Sequence, residues 1–212
     1  MPDLYAGDDQ VKVCSIIMAG GKGSRMGLNV EKPLIKIKGK FMILYVIDAL
    51  RESQSISRII VAVTKKVPET SKIIKQMGIE VLETPGLGFI EDLKYAIRTL
   101  RLHHVLVICA DIPLITADII DFIVDRYWRS GKPALAVYIP IHVYKRLCLV
   151  PEYKFKIRGV EVVPAGVNVI DGTKIDQSYL EEEHLILEDI RLAVNVNTQK
   201  ALSIVKTLLE EV

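Results

Sequence analysis

The chain has 212 residues, of which half are hydrophobic and a quarter are charged. This length is typical of one folded domain, here residues 1–212, with enough chain to bury a core. The formal net charge of +2 is too small to indicate nucleic-acid binding, and no apolar run approaches the roughly 18 residues of a membrane span. Three scattered cysteines, and a polar extension over residues 1–10 in place of a leader peptide, predict a reduced, cytoplasmic protein.

Apolar strands and amphipathic helices alternate along the first part of the chain. The pattern predicts strands over 13–18, 58–63, 79–82 and 104–109, and helices over 42–53, 68–77, 89–100 and 116–129, the last with Thr116 as its N-cap. The strands are apolar without alternation, which is typical of strands buried on both faces. We therefore predict an α/β protein with a mostly parallel central sheet, flanked by helices on both faces.

The second part of the chain is less regular. It predicts strands over 134–139, over 160–170 with a break near 164–166, and over 192–196. Residues 140–156 are expected to form a loop or a short helix, and Thr198 is expected to cap a final helix that reaches residue 211. The lysines at 36, 38 and 40 alternate with isoleucines, which predicts the solvated face of one short strand.

A glycine-rich loop follows the first strand, with the sequence MAGGKGSRMG over residues 18–27. Glycines allow main-chain N–H groups to wrap an anion, and Arg25 and Lys32 can then bind phosphate oxygens through charge-assisted bonds. The spacing fits neither a Walker A loop nor a dinucleotide fingerprint, whose third glycine comes one residue earlier. The plain alternative is an ordinary strand-to-helix turn. We predict a site for a nucleoside triphosphate.

Two further features follow strand ends at the same predicted edge of the sheet. Residues 84–88, TPGLG, form a turn whose main chain can read the edge of a purine base, and Asp111 follows the strand over 104–109. A carboxylate beside a triphosphate is suited to Mg²⁺, with a second oxygen from Asn197 or, alternatively, Asn195. Each of these side chains has the alternative role of a turn or cap residue.

The carboxylates of Glu91 and Asp92 lie in the first turn of a predicted helix, where they are expected to serve the helix macrodipole and not a ligand.

This set of residues is suited to attack by an external phosphate on the α-phosphorus of the triphosphate, with pyrophosphate leaving. Positioning and charge neutralisation would carry the rate enhancement, and no nucleophilic side chain is needed. The candidate catalytic residues are Arg25, Lys32 and Asp111.

Five motifs occur in order across most of the chain: GGKG at 20–23, EKPLIK at 31–36, GLGFIEDL at 86–93, VPAGVNV at 163–169 and NVNT at 195–198. Together they resemble the nucleotidyltransferase superfamily that includes sugar-phosphate and molybdenum cofactor guanylyltransferases. More narrowly, they resemble the archaeal guanylyltransferases that act on adenosylcobinamide phosphate. The resemblance implies a Rossmann-like nucleotidyltransferase fold, GTP and a corrinoid phosphate acceptor as substrates, Mg²⁺ as cofactor and, by analogy, a homodimer.

The resemblance also implies roles for individual residues. The triphosphate would be bound by loop residues and cations: Ala19, Gly20, Gly21, Lys22, Gly23, Arg25 and Lys32. The guanosine would lie near the second turn, at Thr84, Gly86 and Gly88. A segment of the later strand would border the nucleotide site: Pro164, Gly166 and Asn168. Asp111 would hold the metal with Asn197. The acceptor contacts are expected among residues 140–190, and residues 1–10 receive no role.

Several other functions remain open from the sequence. Within the same class they are a molybdenum cofactor guanylyltransferase or another nucleotidyltransferase. From other classes they are a non-catalytic GTP-binding regulatory module and, last, a dehydrogenase.

Overall fold

A computed structural model describes residues 11–21, 23, 30–151 and 153–210, so the predicted extension over residues 1–10 lies outside the described residues. The strands are β1 (Val13–Met18), β2 (Lys36–Ile37), β3 (Lys40–Phe41), β4 (Ile56–Val63), β5 (Glu80–Glu83), β6 (His104–Cys109), β7 (Ala134–Pro140), β8 (Phe155–Ile157), β9 (Val160–Asp171) and β10 (Glu182–Ile186). The helices are α1 (Met42–Glu52), α2 (Pro68–Gln76), α3 (Phe89–Leu100), α4 (Ala117–Ser130), α5 (Ile141–Arg146), α6 (Ile190–Ala193) and α7 (Gln199–Leu208).

Eight strands form one sheet in the order β10-β7-β9-β6-β1-β4-β5, with β8 paired to β9. Neighbours are parallel from β6 through β1 and β4 to β5, and β10 is parallel to β7. Strand β9 runs antiparallel to its neighbours β6, β7 and β8. Because β4 and β6 lie on opposite sides of β1, the strand order reverses there, which is where open α/β sheets bind ligands. The predicted fold class is confirmed.

Both faces of the sheet are covered by helices. Successive side chains of a strand point to opposite faces, and here the side chains on both faces are apolar. Ile17 of β1 and Ile108 of β6 pack in one core with α1 and α4, while Ile16 and Val107 pack on the other face with α3. Each of these four side chains is fully buried. Burial of one such side chain contributes about 1.5–3 kcal/mol, so the apolar strands fix the sheet between the two helical layers. None of the helices among the described residues is long and apolar enough to cross a bilayer.

The structure corrects the prediction for the C-terminal part. Residues 192–196 do not form a strand; α6 ends at Ala193, and Val194 and Val196 are buried against α7 in a separate apolar cluster. An apolar run by itself does not separate a strand from a buried helical turn or loop. Strand β10 has the sequence EEHLI at the sheet edge, and this mixed pattern gave no signal for a strand.

Two further local predictions are corrected. Strand β9 is continuous, and the predicted break near 164–166 is a register shift against β7 with Gly166 at φ +79°. The lysines at 36, 38 and 40 lie on a two-strand hairpin, β2 and β3, because Lys38 and Gly39 have positive φ and reverse the chain.

Both predicted N-caps stand at their helix starts. The Thr198 hydroxyl accepts a bond from Ala201 N at 3.1 Å, as predicted, whereas the Thr116 hydroxyl donates to Asp118 and makes no side-chain cap.

Asp121 of α4 joins this helix to the connection between α1 and β4. Its carboxylate accepts bonds from Ser53 Oγ at 2.5 Å and from the buried Ser55 N at 2.9 Å. Burial raises the pKa of the Asp121 carboxyl, but the hydrogen bonds from residues 53–55 outweigh burial and leave that pKa below its ordinary value. The stabilisation is therefore present above the ordinary carboxyl pKa and is lost as pH falls through the lower folded-state pKa.

We expect Asp121→Ala to lower the free energy of unfolding by about 1–3 kcal/mol, because it removes the charged acceptor of a buried N–H group. Urea unfolding at neutral pH measures this loss. Asp125→Ala is the matched control on the same helix, since the exposed pair of Asp125 with Arg129 contributes little. Equal losses in the two variants would contradict the assignment.

Candidate active site

The carboxyl ends of four parallel strands open into loops on one edge of the sheet. Main-chain bonds continue beyond the strands: Ala19 N donates to Ala62 O at 2.8 Å, Ala110 N to Met18 O at 3.2 Å, and Thr84 N to Val63 O at 2.8 Å. The loops after β1, β4, β5 and β6 therefore begin side by side. This is the edge at which the sequence predicted the glycine loop, the second turn and Asp111.

Thr64, the residue after β4, lies between the two glycine turns. Its hydroxyl donates to the Gly20 carbonyl at 2.9 Å. A Cβ atom on Gly20 would lie 2.6 Å from the Thr64 methyl carbon, and one on Gly86 would lie 3.6 Å from it. Thr64 is not among the predicted site residues, although it follows the carboxyl end of β4, where the ligand-binding rule for parallel sheets also applies.

The described part of the glycine-rich loop passes closely over Lys32. Gly23 has φ +73°, and a Cβ atom there would lie 2.6 Å from Lys32 Cβ. Only glycine provides both this conformation and this approach. Ala19, Gly20, Gly21 and Gly23 therefore lie on the same edge as Lys32. The predicted cations Lys22 and Arg25 lie outside the described residues, and their roles stay predictions.

Glu31 fixes the segment that carries Lys32. Its carboxylate accepts bonds from Glu69 N at 2.9 Å, Thr70 N at 2.6 Å and Thr70 Oγ1 at 2.5 Å, so it binds the N-terminus of α2. Free N–H groups and the helix macrodipole make this end of a helix favourable for a carboxylate. Lys32 begins a 3₁₀ turn that continues through the buried Pro33. The main chain of Lys32 is thus held from both sides.

The ammonium group of Lys32 joins three distant parts of the chain. Lys32 Nζ donates to Asp111 Oδ2 and to Asn197 Oδ1, and the side chains of Lys32 and Asp111 are 15% and 14% exposed. Val196 N also donates to the Asp111 carbonyl at 2.9 Å, which holds the segment before α7 against the end of β6. The structure therefore brings together three predicted site residues, Lys32, Asp111 and Asn197.

Two polar atoms of this cluster carry no hydrogen bond from the described residues. They are the buried Oδ1 atoms of Asp111 and Asn195. The amide nitrogen of Asn195 lies 3.5 Å from the Ala165 carbonyl oxygen. Buried acceptors of this kind are normally paired, and an acceptor in a binding site can be paired by its ligand. In the described part of the chain, no group of three or more histidine, cysteine, aspartate or glutamate side chains is arranged so that it could hold a metal ion.

The electrostatic field of Asp111 reaches two neighbouring side chains. The pKa of Cys109 is raised to about 12, mainly by burial and then by the charge of Asp111, while Lys32 opposes the shift. The same two causes raise the pKa of Tyr144 to about 12. Both groups are therefore neutral near pH 7. A neutral thiol is a weak nucleophile.

Strand β9 contributes Gly166 to this edge. A Cβ atom on Gly166 would lie 3.1 Å from Cys109 Sγ and 3.4 Å from Asn195 Nδ2, so the strand passes close to the end of β6. Pro164 is exposed two residues earlier. Asn168 pairs with Val107 within the sheet and lines a cavity of about 360 Å³ with residues 178–184. The structure places Asn168 away from the strand ends, and its nucleotide role stays a prediction.

The second turn contains the predicted guanosine residues. Thr84 is buried, and its hydroxyl donates to Val63 O at 3.0 Å. Gly86 has φ +78° and Gly88 has φ +120°. Asp92, which the sequence assigned to the helix macrodipole, is instead buried and accepts bonds from the main chain of this turn. Glu91 is exposed at the start of α3, as expected.

Solved structures place this architecture in a known class. The chain aligns with a CMP:2-keto-3-deoxy-manno-octonic acid synthetase complexed with CTP at TM-score 0.74 and 13% identity, over 94% of this chain and 99% of that one. It aligns with the 4-diphosphocytidyl-2C-methyl-D-erythritol synthase from Anaerococcus prevotii at TM-score 0.66 and 13% identity, over 95% and 100%. The fold is the Rossmann-like fold of nucleotidyltransferases.

The family follows from the sequence comparisons. The family model described as MobA-like NTP transferase domain matches residues 15–158, and the chain belongs to this family. It is 35% identical over 207 residues to the adenosylcobinamide-phosphate guanylyltransferase of Methanocaldococcus jannaschii. The alignment covers 93% of this chain and 97% of that protein. The chain is also 29% identical to a probable molybdenum cofactor guanylyltransferase of Thermococcus gammatolerans, over 88% of this chain and 95% of that protein.

The contact between Gly20 and Thr64 can be tested through stability. We expect Gly20→Ala to lower the free energy of unfolding by about 1–3 kcal/mol, because the new methyl group overlaps the Thr64 methyl carbon. Thr64→Ser removes that carbon and keeps the hydroxyl, so Gly20→Ala should cost less in this background. Gly21→Ala is the control, since its added carbon meets no described atom within 4 Å. Equal costs in both backgrounds would refute the overlap.

Proposed function

We propose that this chain transfers GMP from GTP to a corrinoid phosphate, adenosylcobinamide phosphate, and releases pyrophosphate. An oxygen of the acceptor phosphate attacks the α-phosphorus, the bond between the α-phosphorus and its bridging oxygen breaks, and the electron pair leaves with pyrophosphate. The observation that carries the proposal is the match to the M. jannaschii enzyme over nearly the whole of both chains. The gathering of Lys32, Asp111 and Asn197 at the strand ends supports it.

The proposal assigns a task to each part of the edge. Main-chain N–H groups of residues 19–23 and the ammonium of Lys32 would bind the triphosphate, with Arg25 and Lys22 as further predicted cations. The turn over 84–88 would read the guanine, and Pro164 and Gly166 would border the nucleotide. Eight of the ten described strands, including the first (β1) and the last (β10), share one sheet, which supports the proposed single domain. A cytoplasmic location and a homodimer complete the proposal.

We also propose Mg²⁺ as the cofactor, held by Asp111 and Asn197. A carboxylate and an amide oxygen are ligands that magnesium prefers, with phosphates and water completing the shell. The Lys32 ammonium already contacts both oxygens, so a cation fits between them, and the orphaned Oδ1 of Asp111 offers one more contact. When bound, the metal would supply charge neutralisation on the triphosphate. Asn195 remains the alternative amide ligand, since its Oδ1 also lacks a described partner.

A molybdenum cofactor guanylyltransferase is the second candidate, because the T. gammatolerans protein also matches over most of both chains. The two candidates differ in the acceptor alone. Incubation with GTP, Mg²⁺ and each acceptor separately distinguishes them. With adenosylcobinamide phosphate we expect release of pyrophosphate and formation of adenosylcobinamide-GDP, and with molybdopterin we expect no reaction.

Variants of acidic residues test the site in the same assay. Asp111→Asn should lower the rate by about 10²- to 10³-fold, because it removes the charge that organises the site. Asp176→Asn is the control, since this carboxylate is 70% exposed and pairs with Arg98 on the surface.

Turnover with molybdopterin alone would establish the second candidate. GTP binding that ignores Mg²⁺, with no pyrophosphate from either acceptor, would favour a regulatory binding module.

The shared position of Lys32 and the metal predicts competition in the nucleotide-free protein. Lys32→Met should tighten Mn²⁺ binding by about tenfold or more, because it leaves the partly buried charge of Asp111 without its cation. The amount of free Mn²⁺ in an electron paramagnetic resonance titration measures this directly, without turnover. Lys36→Met is the control, as Lys36 is exposed and lies over the Phe41 ring. Unchanged Mn²⁺ affinity in Lys32→Met would place the metal elsewhere.

A further inference from the structure

The turn over residues 86–88 has a conformation that packing alone does not impose. Gly86 and Gly88 both have positive φ, and Leu87 between them is 75% exposed. A Cβ atom on Gly88 would meet no described atom within 4 Å. Glycine-rich turns of this kind have many accessible conformations, so a specific interaction must select the observed one.

That interaction comes from Asp92, four residues beyond the turn. Its Oδ1 accepts bonds from Gly86 N at 2.8 Å and from Leu87 N at 3.2 Å. Asp92 N in turn donates to Gly88 O at 2.9 Å, which begins α3. Asp92 is only 6% exposed, so its carboxylate has little access to water in place of these bonds. Because a buried charge without hydrogen bonds is costly, the turn and the carboxylate hold each other in place.

The turn also lies close to the glycine-rich loop, and Thr64 lies between the two. The methyl carbon of Thr64 would lie 3.6 Å from a Cβ atom on Gly86 and 2.6 Å from one on Gly20. The same threonine donates its hydroxyl hydrogen to the Gly20 carbonyl. A shift of the turn therefore changes the spacing between the segment proposed to read the base and the segment proposed to bind the phosphates.

We infer that Asp92 is a positioning residue for the nucleotide: it holds the main chain of residues 86–88 in the one arrangement that recognises the base. This inference rests on the proposed function. Asp92 contacts the turn and not the reacting atoms, so its effect is on binding of the base and on base selectivity. Binding of the phosphates alone does not require it.

The test compares GTP, ATP and inorganic triphosphate as ligands in calorimetric titrations. Asp92→Ala should weaken GTP binding by about 10- to 100-fold, the equivalent of losing hydrogen bonds to a charged acceptor, and should reduce the preference for GTP over ATP. Triphosphate binding should change by less than about twofold, since the variant leaves the glycine-rich loop intact. Asp92→Asn keeps an oxygen acceptor and should recover most of the GTP affinity. Glu91→Ala is the control from the same helical turn.

Gly88→Ala provides an independent variant in case Asp92→Ala folds poorly. The added Cβ strains the turn, because Gly88 has a φ of +120°, and it meets no described atom. Gly88→Ala should therefore weaken GTP binding and leave triphosphate binding unchanged. Equal weakening of GTP binding and triphosphate binding, or an unchanged preference for GTP over ATP in both variants, would overturn this inference but not the proposed function. A wild-type protein that binds GTP no more tightly than triphosphate would overturn the proposed function as well.

Discussion

The contact of one ammonium group with two oxygens organises the edge of this sheet. Glu31 binds the N-terminus of α2 and so fixes the main chain at Lys32, whose side chain reaches Asp111 after β6 and Asn197 before α7. A carboxylate that is mostly removed from water requires a compensating charge. The protein supplies that charge from its own lysine, and three segments far apart in sequence converge as a result.

Close approach of main chain is the second constraint, and it explains where glycine is needed. Thr64 occupies the space between two loops, so Gly20 must lack a side chain, whereas Gly21 beside it faces open space among the described residues. Gly23 and Gly166 pass over Lys32 and Cys109 in the same way. The glycines therefore do two jobs. Some allow packing between loops, while those at 86 and 88 allow a turn that a carboxylate then selects.

The sequence predicted those features that depend on local pattern. The apolar run at 104–109 and the helical spacing at 89–100 match β6 and α3 residue for residue. The glycine-rich loop and Asp111 lie at one edge because each follows the carboxyl end of a parallel strand. The roles of Glu31 and Asp92 were not predictable in this way, because both side chains bind main-chain N–H groups, which any residue supplies. Strand β10 was not predicted because it lies at the sheet edge, where charged side chains are tolerated, and its sequence therefore lacks an apolar strand pattern.

The charge balance of the edge bears on the proposed chemistry. In the proposed function Lys32 would have two kinds of anionic partner, the Asp111 carboxylate and a triphosphate, and one ammonium group would not fully compensate both. A nucleotide that draws Lys32 to its phosphates would leave the Asp111 charge partly buried and unpaired. A divalent cation that accompanies the nucleotide restores the balance, since Asp111 and Asn197 already present converging oxygens. In the proposed function, the same lysine would make binding of the triphosphate and binding of the cation mutually dependent.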